Sequence, residues 1–263
     1  LRGDHQKTLA LCPQLDGAAT RAGHLQYLAG VRMSQAWIAL GAGQLDAAHD
    51  LLVQSELLTR QMNLPVTTMV CSSYWALLAA RREEFGEALQ RADQTLLLAA
   101  GERSTGPGLL IPAWSLFTAL MAVLAAPPAP EAAAERRRQQ AVLRRIAKTA
   151  HWMRMIVKRF PVGTARLALL TGQLHERAGR PAAAQRAYER ALHAATRFGL
   201  EYDVALAHLF LGRLASAARQ GIARWHLESA AAGFARLGAS GEAGLAASDL
   251  ARARQSGPAA PTR

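Results

Sequence analysis

The feature that most constrains folding lies in residues 161–198, where a short chain break separates two helical patterns. The break is the Gly-Arg-Pro sequence at 179–181, and Gly172 lies in the pattern before it. After the break come Ala184, Tyr188 and Ala191, which are spaced four and three residues apart. This spacing places the three side chains on one face of a helix. Because Gly172 has no side chain, a second helix can approach it closely. The pattern therefore predicts a hairpin of two tightly packed helices.

The same turn followed by a small residue recurs along the chain. The alanine after each turn is the most regular position of this repeat: Ala48, Ala88, Ala184 and Ala230. Its spacing is roughly 40 to 48 residues if the longest interval holds two units, which exceeds the roughly 34 residues of a tetratricopeptide (TPR) repeat. Such hairpins cannot bury their apolar faces alone, so they stack. We predict an all-α fold, a right-handed α-solenoid of five TPR-like helical hairpins with a terminal cap helix.

Helical patterns alternate with short breaks, and no segment alternates with period two for long enough to predict a strand. The predicted helices lie near 20–42, 45–62, 66–82, 85–100, 108–126, 131–160, 162–178, 181–198, 201–219, 222–237 and 240–254. They group into N-terminal hairpins over 1–100, an apolar helix plus a long arginine-rich helix over 101–160, and C-terminal hairpins with a cap helix over 161–254. The last segment, 255–263, is predicted to be a disordered tail.

The segment from Leu109 to Ala126 is long enough to be considered as a membrane span. Pro112, Ser115 and Thr118 interrupt it, and alanine makes up much of the remainder, so its summed transfer free energy is only about −3 kcal/mol. We therefore predict a helix that is buried on several sides, and we expect no membrane partner.

The arginine-rich helix predicted at 131–160 carries two opposite faces. The apolar face is predicted to comprise Leu143, Ile146, Ala150, Met153, Val157 and Phe160. The basic face is predicted to comprise Arg137, Arg144, Arg145, Lys148 and Arg159, with Trp152 among them. In a chain of net charge +12, this face could bind the phosphates and stack on the bases of a nucleic acid. Alternatively, Trp152 belongs to the core beneath a neighbouring hairpin, and the arginine stems surround it.

The motifs of several enzyme classes are missing from the sequence. His175-Glu176 has no second histidine at metalloprotease spacing, no Gly-rich phosphate loop ends in Lys and Ser or Thr, and the eight histidines are dispersed. Cys12 and Cys71 form no metal-binding pair, and buried free thiols suit a reducing cytoplasm. We therefore predict no catalytic residue, no metal site and no cofactor.

Four segments carry a resemblance to a known family: 194–203, 211–213, 226–230 and 234–239. They include Leu-Gly-Arg at 211–213 and Phe-Ala-Arg-Leu-Gly-Ala at 234–239. The region resembles the C-terminal TPR-like helical repeats of bacterial AAA/STAND-ATPase signalling proteins, in which an ATPase is joined to a nucleotide cyclase, a Ser/Thr kinase or a LuxR-type DNA-binding domain. The resemblance covers about a third of the chain well. It implies a cytoplasmic sensor or interaction module whose parent activities lie outside this segment.

A solenoid of this kind implies a groove lined by the first helix of each hairpin. In the best-matched hairpin, the groove-facing positions are predicted to be Arg166, Leu169, Gln173 and Glu176, with Arg213 from the next hairpin. Their mixed polarity suits a peptide carboxylate or an anionic small molecule. The expected partner is a protein or peptide, or another domain of the same chain. The alternative partner is a nucleic acid on the basic face of helix 131–160.

Overall fold

A computed structural model describes residues 3–101, 106–127, 131–215 and 220–255. Within these ranges the chain forms twelve α-helices and two short 3-10 helices, and no strand. The helices are α1 His5–Ala22, α2 Leu25–Gly41, α3 Leu45–Met62, α4 Pro65–Arg81, α5 Phe85–Gly101, α6 Leu110–Ala125, α7 Ala132–Arg159, α8 Thr164–Arg177, α9 Pro181–Arg197, α10 Glu201–Leu214, α11 Gln220–Leu237 and α12 Ser240–Gln255. The all-α prediction is confirmed, and the right-handed solenoid stays a prediction.

Proline and glycine set several of the helix ends. Pro65 and Pro181 occupy the first turn of α4 and α9, where a missing backbone N–H leaves no hydrogen bond unmade. Gly199 and Gly238 follow α9 and α11 with φ of 63° and 69°. Glycine adopts this left-handed conformation at the end of a helix with the least steric cost.

Two predicted boundaries are wrong. The helix predicted at 20–42 is interrupted at Gly23, which has a φ of 66°, and α2 starts only at Leu25. The residues before Gly23 form a separate helix, α1, which the sequence pattern did not predict because Pro13 lies inside it. The helix predicted at 201–219 ends at Leu214, and residues 216–219 lie outside the described chain. The predicted tail also lies outside it beyond Gln255.

By its internal contacts, the chain divides into two compact units. The first unit comprises residues 8–163, in which α2–α3, α4–α5 and α6–α7 form successive hairpins. Its most buried element is α6, which packs against α4 and α7 and buries Leu116, Phe117 and Leu120 almost completely. The segment Pro107–Ala125 is long and apolar enough to cross a membrane, but 67% of the segment is buried in the unit. The predicted buried helix is therefore confirmed.

The second unit comprises residues 3–7 and, from residue 164 onward, the hairpins α8–α9 and α10–α11 with α12 packed on α11. Its core includes Tyr202, whose ring lies 5.5 Å from that of Phe234 and whose hydroxyl donates to Glu242 over 2.8 Å. The N-terminal segment covers this tyrosine. The His5 ring is 5.7 Å from the Tyr202 ring, and Gly3 lies so close that a Cβ there would be 2.3 Å from Tyr202 Cβ.

The close helix contact predicted at Gly172 is present between α8 and α9. A Cβ built on Gly172 would lie 2.2 Å from Cε1 of Tyr188, so only glycine fits. Tyr188 is fully buried, and its hydroxyl donates a 2.7 Å hydrogen bond to Glu176 on α8. Burial and the neighbouring Glu176 carboxylate raise the pKa of Tyr188 well above its ordinary value, so the hydroxyl stays protonated. Gly172 and Tyr188, both identified from the sequence, therefore form the contact between α8 and α9.

Candidate functional site

An open cleft of about 1000 Å³ lies between α5 and α7 in the first unit. Both helices are the second members of their hairpins, and Leu109 of the intervening segment lines the cleft between them. The α5 side is formed by Asp93, Gln94, Leu96, Leu97, Ala99 and Ala100. The α7 side is formed by Ala147, Lys148, His151, Trp152, Met155 and Ile156. The volume reaches the upper end of the usual range for ligand pockets.

The cleft exposes large apolar side chains to solvent. Leu97 is 75% exposed and Met155 is 50% exposed, whereas Leu109 and Ile156 are buried in the floor. Trp152 is half-buried beside them. A contiguous group of exposed apolar residues of this kind is typical of a binding surface rather than of ordinary solvated helix.

The exposure of Leu97 follows from the way α5 packs. The residues of α5 that are buried in the unit are Ala88, Ala92 and Thr95, which follow one another at spacings of four and three. Leu97 lies about 200° around the helix from Thr95, so the packing that buries Thr95 turns Leu97 outward. Leu97 is not among the site residues predicted from the sequence. The run Leu96-Leu97-Leu98 does indicate an exposed apolar residue, because it carries more apolar surface than one helix face can bury.

The apolar face of α7 differs from the predicted one. The buried residues are Val142, Ile146, Thr149, Ala150, Met153 and Ile156. Leu143, which we predicted to be buried, is 48% exposed, and Val157 and Phe160 are only partly buried. The real face is therefore rotated by roughly one residue toward Val142, Thr149 and Ile156. This rotation carries Trp152 and Met155 to the edge of the cleft.

An ion pair crosses from α7 to α5 at one end of the cleft. Arg145 Nε donates to Asp93 Oδ1 over 2.9 Å, and a second guanidinium nitrogen donates to Asp93 Oδ2. The two hydrogen bonds link the helices at this point. It also neutralises Asp93, the one acidic residue among those that line the cleft in the described chain. Lys148 lies at the next turn of α7 and is exposed.

The groove between α3 and α5 occupies the corresponding place in the preceding pair of hairpins, but it is smaller and polar. Its volume is about 440 Å³. Arg91 of α5 donates to Glu56 of α3 over 3.2 Å and to Glu87 over 2.7 Å, and its guanidinium lies 5.2 Å from the Trp75 ring centre. The charged groups of this groove therefore pair with one another. The α5–α7 cleft differs because large apolar side chains, Leu97 and Met155, are exposed in it.

The residues of the predicted basic face have separate environments. Arg137, Arg144, Lys148 and Arg159 are exposed on α7. Arg145 instead pairs with Asp93, and Trp152 belongs to the apolar cleft. The structure thus places Lys148 and Trp152 in one site, with Arg144 one turn before Lys148. Arg137 lies about three turns of helix before Lys148.

Two of the predicted groove residues form ion pairs with other helices of the second unit. Arg166 Nε lies 3.2 Å from Asp203 Oδ1 on α10. Arg213 Nε lies 2.5 Å from Asp249 Oδ2 on α12. Both pairs contribute to helix packing, and a role in binding stays a prediction.

The other predicted groove residues, on α8, differ in their surroundings. Glu176 accepts the hydroxyl hydrogen bond of Tyr188 and so also joins two helices. Gln173 is half-buried. Leu169 is completely buried, so its predicted position facing a groove is wrong: this side chain belongs to the core of the unit.

Two histidines of the second unit lie side by side. His208 on α10 and His226 on α11 have their Nδ1 atoms 2.9 Å apart, and the exposed Trp225 ring lies 5.2 Å from the His208 ring. Burial and the neighbouring His226 lower the pKa of His208 to about 4. In the described part of the chain, no group of three or more His, Cys, Asp or Glu side chains is placed to hold a metal ion.

Comparisons with known proteins leave the family open. No protein-family profile matches the chain, and no curated protein is significantly similar to it.

Proposed function

We propose that this chain is a non-catalytic interaction and sensor module of a larger bacterial signalling or transcription-regulatory protein, and that it binds a partner protein at the α5–α7 cleft. The parent would contribute the ATPase and output domains, as the resemblance of residues 194–239 to AAA/STAND-ATPase signalling proteins implies. The module would act in the cytoplasm. The groove positions predicted on α8 and α10 remain a second contact region in this proposal.

The observation that carries the proposal is the exposure of Leu97 and Met155 in one cleft beside Trp152. Each fully exposed leucine-sized side chain leaves about 1.5–3 kcal/mol of hydrophobic free energy unused. A partner that covered both side chains would recover part of it. Interface energy is typically concentrated in a few such apolar and aromatic residues.

A nucleic-acid partner is the second candidate, because α7 carries seven arginines, two lysines and a single glutamate. Exposed Arg144 and Lys148 could contact phosphates. Two features favour a protein. Arg145 is already paired with Asp93, and the centre of the exposed surface is apolar, whereas a phosphate backbone needs charged or polar contacts along its length.

Site-specific photocrosslinking tests the proposal. A photoreactive phenylalanine analogue is placed at Leu97 in the full chain and expressed in cells of the source organism. The matched control places it at Leu57, which is 56% exposed on α3 outside the cleft. We expect protease-sensitive adducts at position 97 that are absent at position 57. The proposal would be contradicted if the adducts at position 97 were removed by nuclease but not by protease. It would also be contradicted if no adduct were specific to position 97.

A further inference from the structure

We infer that the occupant of the α5–α7 cleft is an amphipathic helix of a partner protein that carries acidic residues beside its apolar face. This inference rests on the proposed function and adds the chemistry of the partner segment. It follows from the length of the cleft, from its apolar centre and from the sign of the charge around it.

The cleft has the dimensions of a groove for a short helix. The α7 side runs from Ala147 to Ile156, which is about 15 Å or nearly three helical turns. Its exposed apolar group consists of Leu97 on one wall with Trp152 and Met155 on the other. A helix that lies in such a groove anchors through apolar residues at i, i+3 or i+4, and i+7, which span about 10 Å. Three anchors therefore fit within the length available.

The charges around the apolar centre are basic. Lys148 lines the cleft and is exposed, Arg144 is exposed one turn before it, and Lys158 is exposed at the end of α7. Among the residues that the structure describes, the opposite wall contributes no balancing charge, because Asp93 is held by Arg145 and the sequence of α5 from Gln94 to Gly101 contains no acidic residue. A bound helix with carboxylates on its flank would complement this field, and a basic helix would be repelled.

The test selects peptides without assuming a sequence. A surface-displayed library of random 20-residue peptides is panned against the full chain, and binders are then measured against variants. The cleft variant carries Leu97→Glu and Met155→Glu. Its matched control carries Leu57→Glu and Leu143→Glu, two similarly exposed leucines outside the cleft on α3 and α7. Circular dichroism and the thermal midpoint verify that each variant is folded.

We expect binders that lose at least about tenfold in affinity on the cleft variant and keep their affinity on the control. Their sequences should carry apolar residues at helical spacing and a net negative charge. Synthetic versions should gain helical dichroism on binding. The double substitution Arg144→Glu and Lys148→Glu should weaken them about tenfold, and replacing the peptide's glutamates with lysines should restore binding to this variant.

Other outcomes separate the two proposals. Peptides that need the cleft but are neutral, basic or extended would overturn the acidic helix and leave a protein-binding cleft in place. A failure to select any peptide that depends on the cleft would overturn both proposals. Labelled 20-mer DNA or RNA is tested in parallel. If no cleft-dependent peptide is selected, oligonucleotide binding that depends on Arg144 and Lys148 and stays intact in the cleft variant would replace both proposals with a nucleic-acid surface.

Discussion

The contact between Gly172 and Tyr188 allows a quantitative test of how the second unit is packed. Replacing Gly172 with alanine adds one methyl group, whose carbon would lie 2.2 Å from Cε1 and 2.4 Å from Cδ1 of Tyr188. The ring has little freedom to move away. Its hydroxyl is bonded to Glu176, and its face stacks on Phe210 with ring centres 5.3 Å apart and an interplanar angle of 15°.

The expected free-energy change combines two opposing effects. Inserting a methyl group into a well-packed core costs typically 1–3 kcal/mol, and a confined ring favours the upper end of this range. Alanine is favoured over glycine in a helix by about 1 kcal/mol. We therefore expect Gly172→Ala to lower the free energy of unfolding by about 2 kcal/mol. With a urea dependence of about 2 kcal/mol per molar, the unfolding midpoint would fall by about 1 M.

The assay is equilibrium urea unfolding followed by far-ultraviolet circular dichroism. Hydrogen exchange of peptides from α8 and α9 assigns the change to this hairpin. Gly244→Ala is the matched control, because Gly244 lies inside α12 of the same unit and an added Cβ there would meet no atom within 4 Å; it should stabilise by about 0.5–1 kcal/mol. Equal stabilisation by both substitutions would refute the close approach of α8 and α9.

Three further predictions test other contacts. Asp203→Ala should lower the free energy of unfolding by about 2–3 kcal/mol, because it removes the carboxylate that faces the largely buried guanidinium of Arg166. The double substitution Arg166→Met with Asp203→Leu should recover part of this loss, and urea unfolding measures both. Because the pKa of His208 is lowered to about 4, its contribution to stability is complete above about pH 6.5 and is lost as the pH falls toward 4. Allowing for solvent screening, the free energy of unfolding falls by about 1 kcal/mol over this range. This loss should disappear in His208→Gln when thermal midpoints are compared across the same range. Val142→Ala should lower the free energy of unfolding by about 2 kcal/mol, whereas the adjacent Leu143→Ala should change it by less than about 0.5 kcal/mol. A larger loss for Leu143→Ala than for Val142→Ala would favour the apolar face of α7 that the sequence predicts.

Features that depend on local chemistry could be predicted from the sequence. Pro181 and Gly199 act through their own backbone geometry, so they mark helix ends without reference to the remainder of the fold. The contact at Gly172 was also predictable, because its partner Tyr188 lies on the next helix, just beyond the short loop between α8 and α9. In the same way, the recurring Ala48, Ala88 and Ala184 are all buried.

Features that depend on distant partners could not be predicted in this way. Arg145 was assigned to a free basic face because its partner, Asp93, lies 52 residues earlier in the chain. The face of α7 was ambiguous because Ile146, Ala150 and Met153 belong to either of two overlapping stripes, and only packing against α6 selects one. The outward position of Leu97 was hidden for the same reason. The cleft therefore emerges only from tertiary structure.

The N-terminal cover of Tyr202 has a consequence for how the chain folds during synthesis. Residues 8–163 are contiguous, so the ribosome can release a complete first unit before the helices of the second unit are synthesised. The second unit draws on both ends of the chain, and the contact between His5 and Tyr202 joins residues that are synthesised almost two hundred codons apart. Residues 3–7 must therefore wait for helices that are synthesised much later before they are buried against Tyr202.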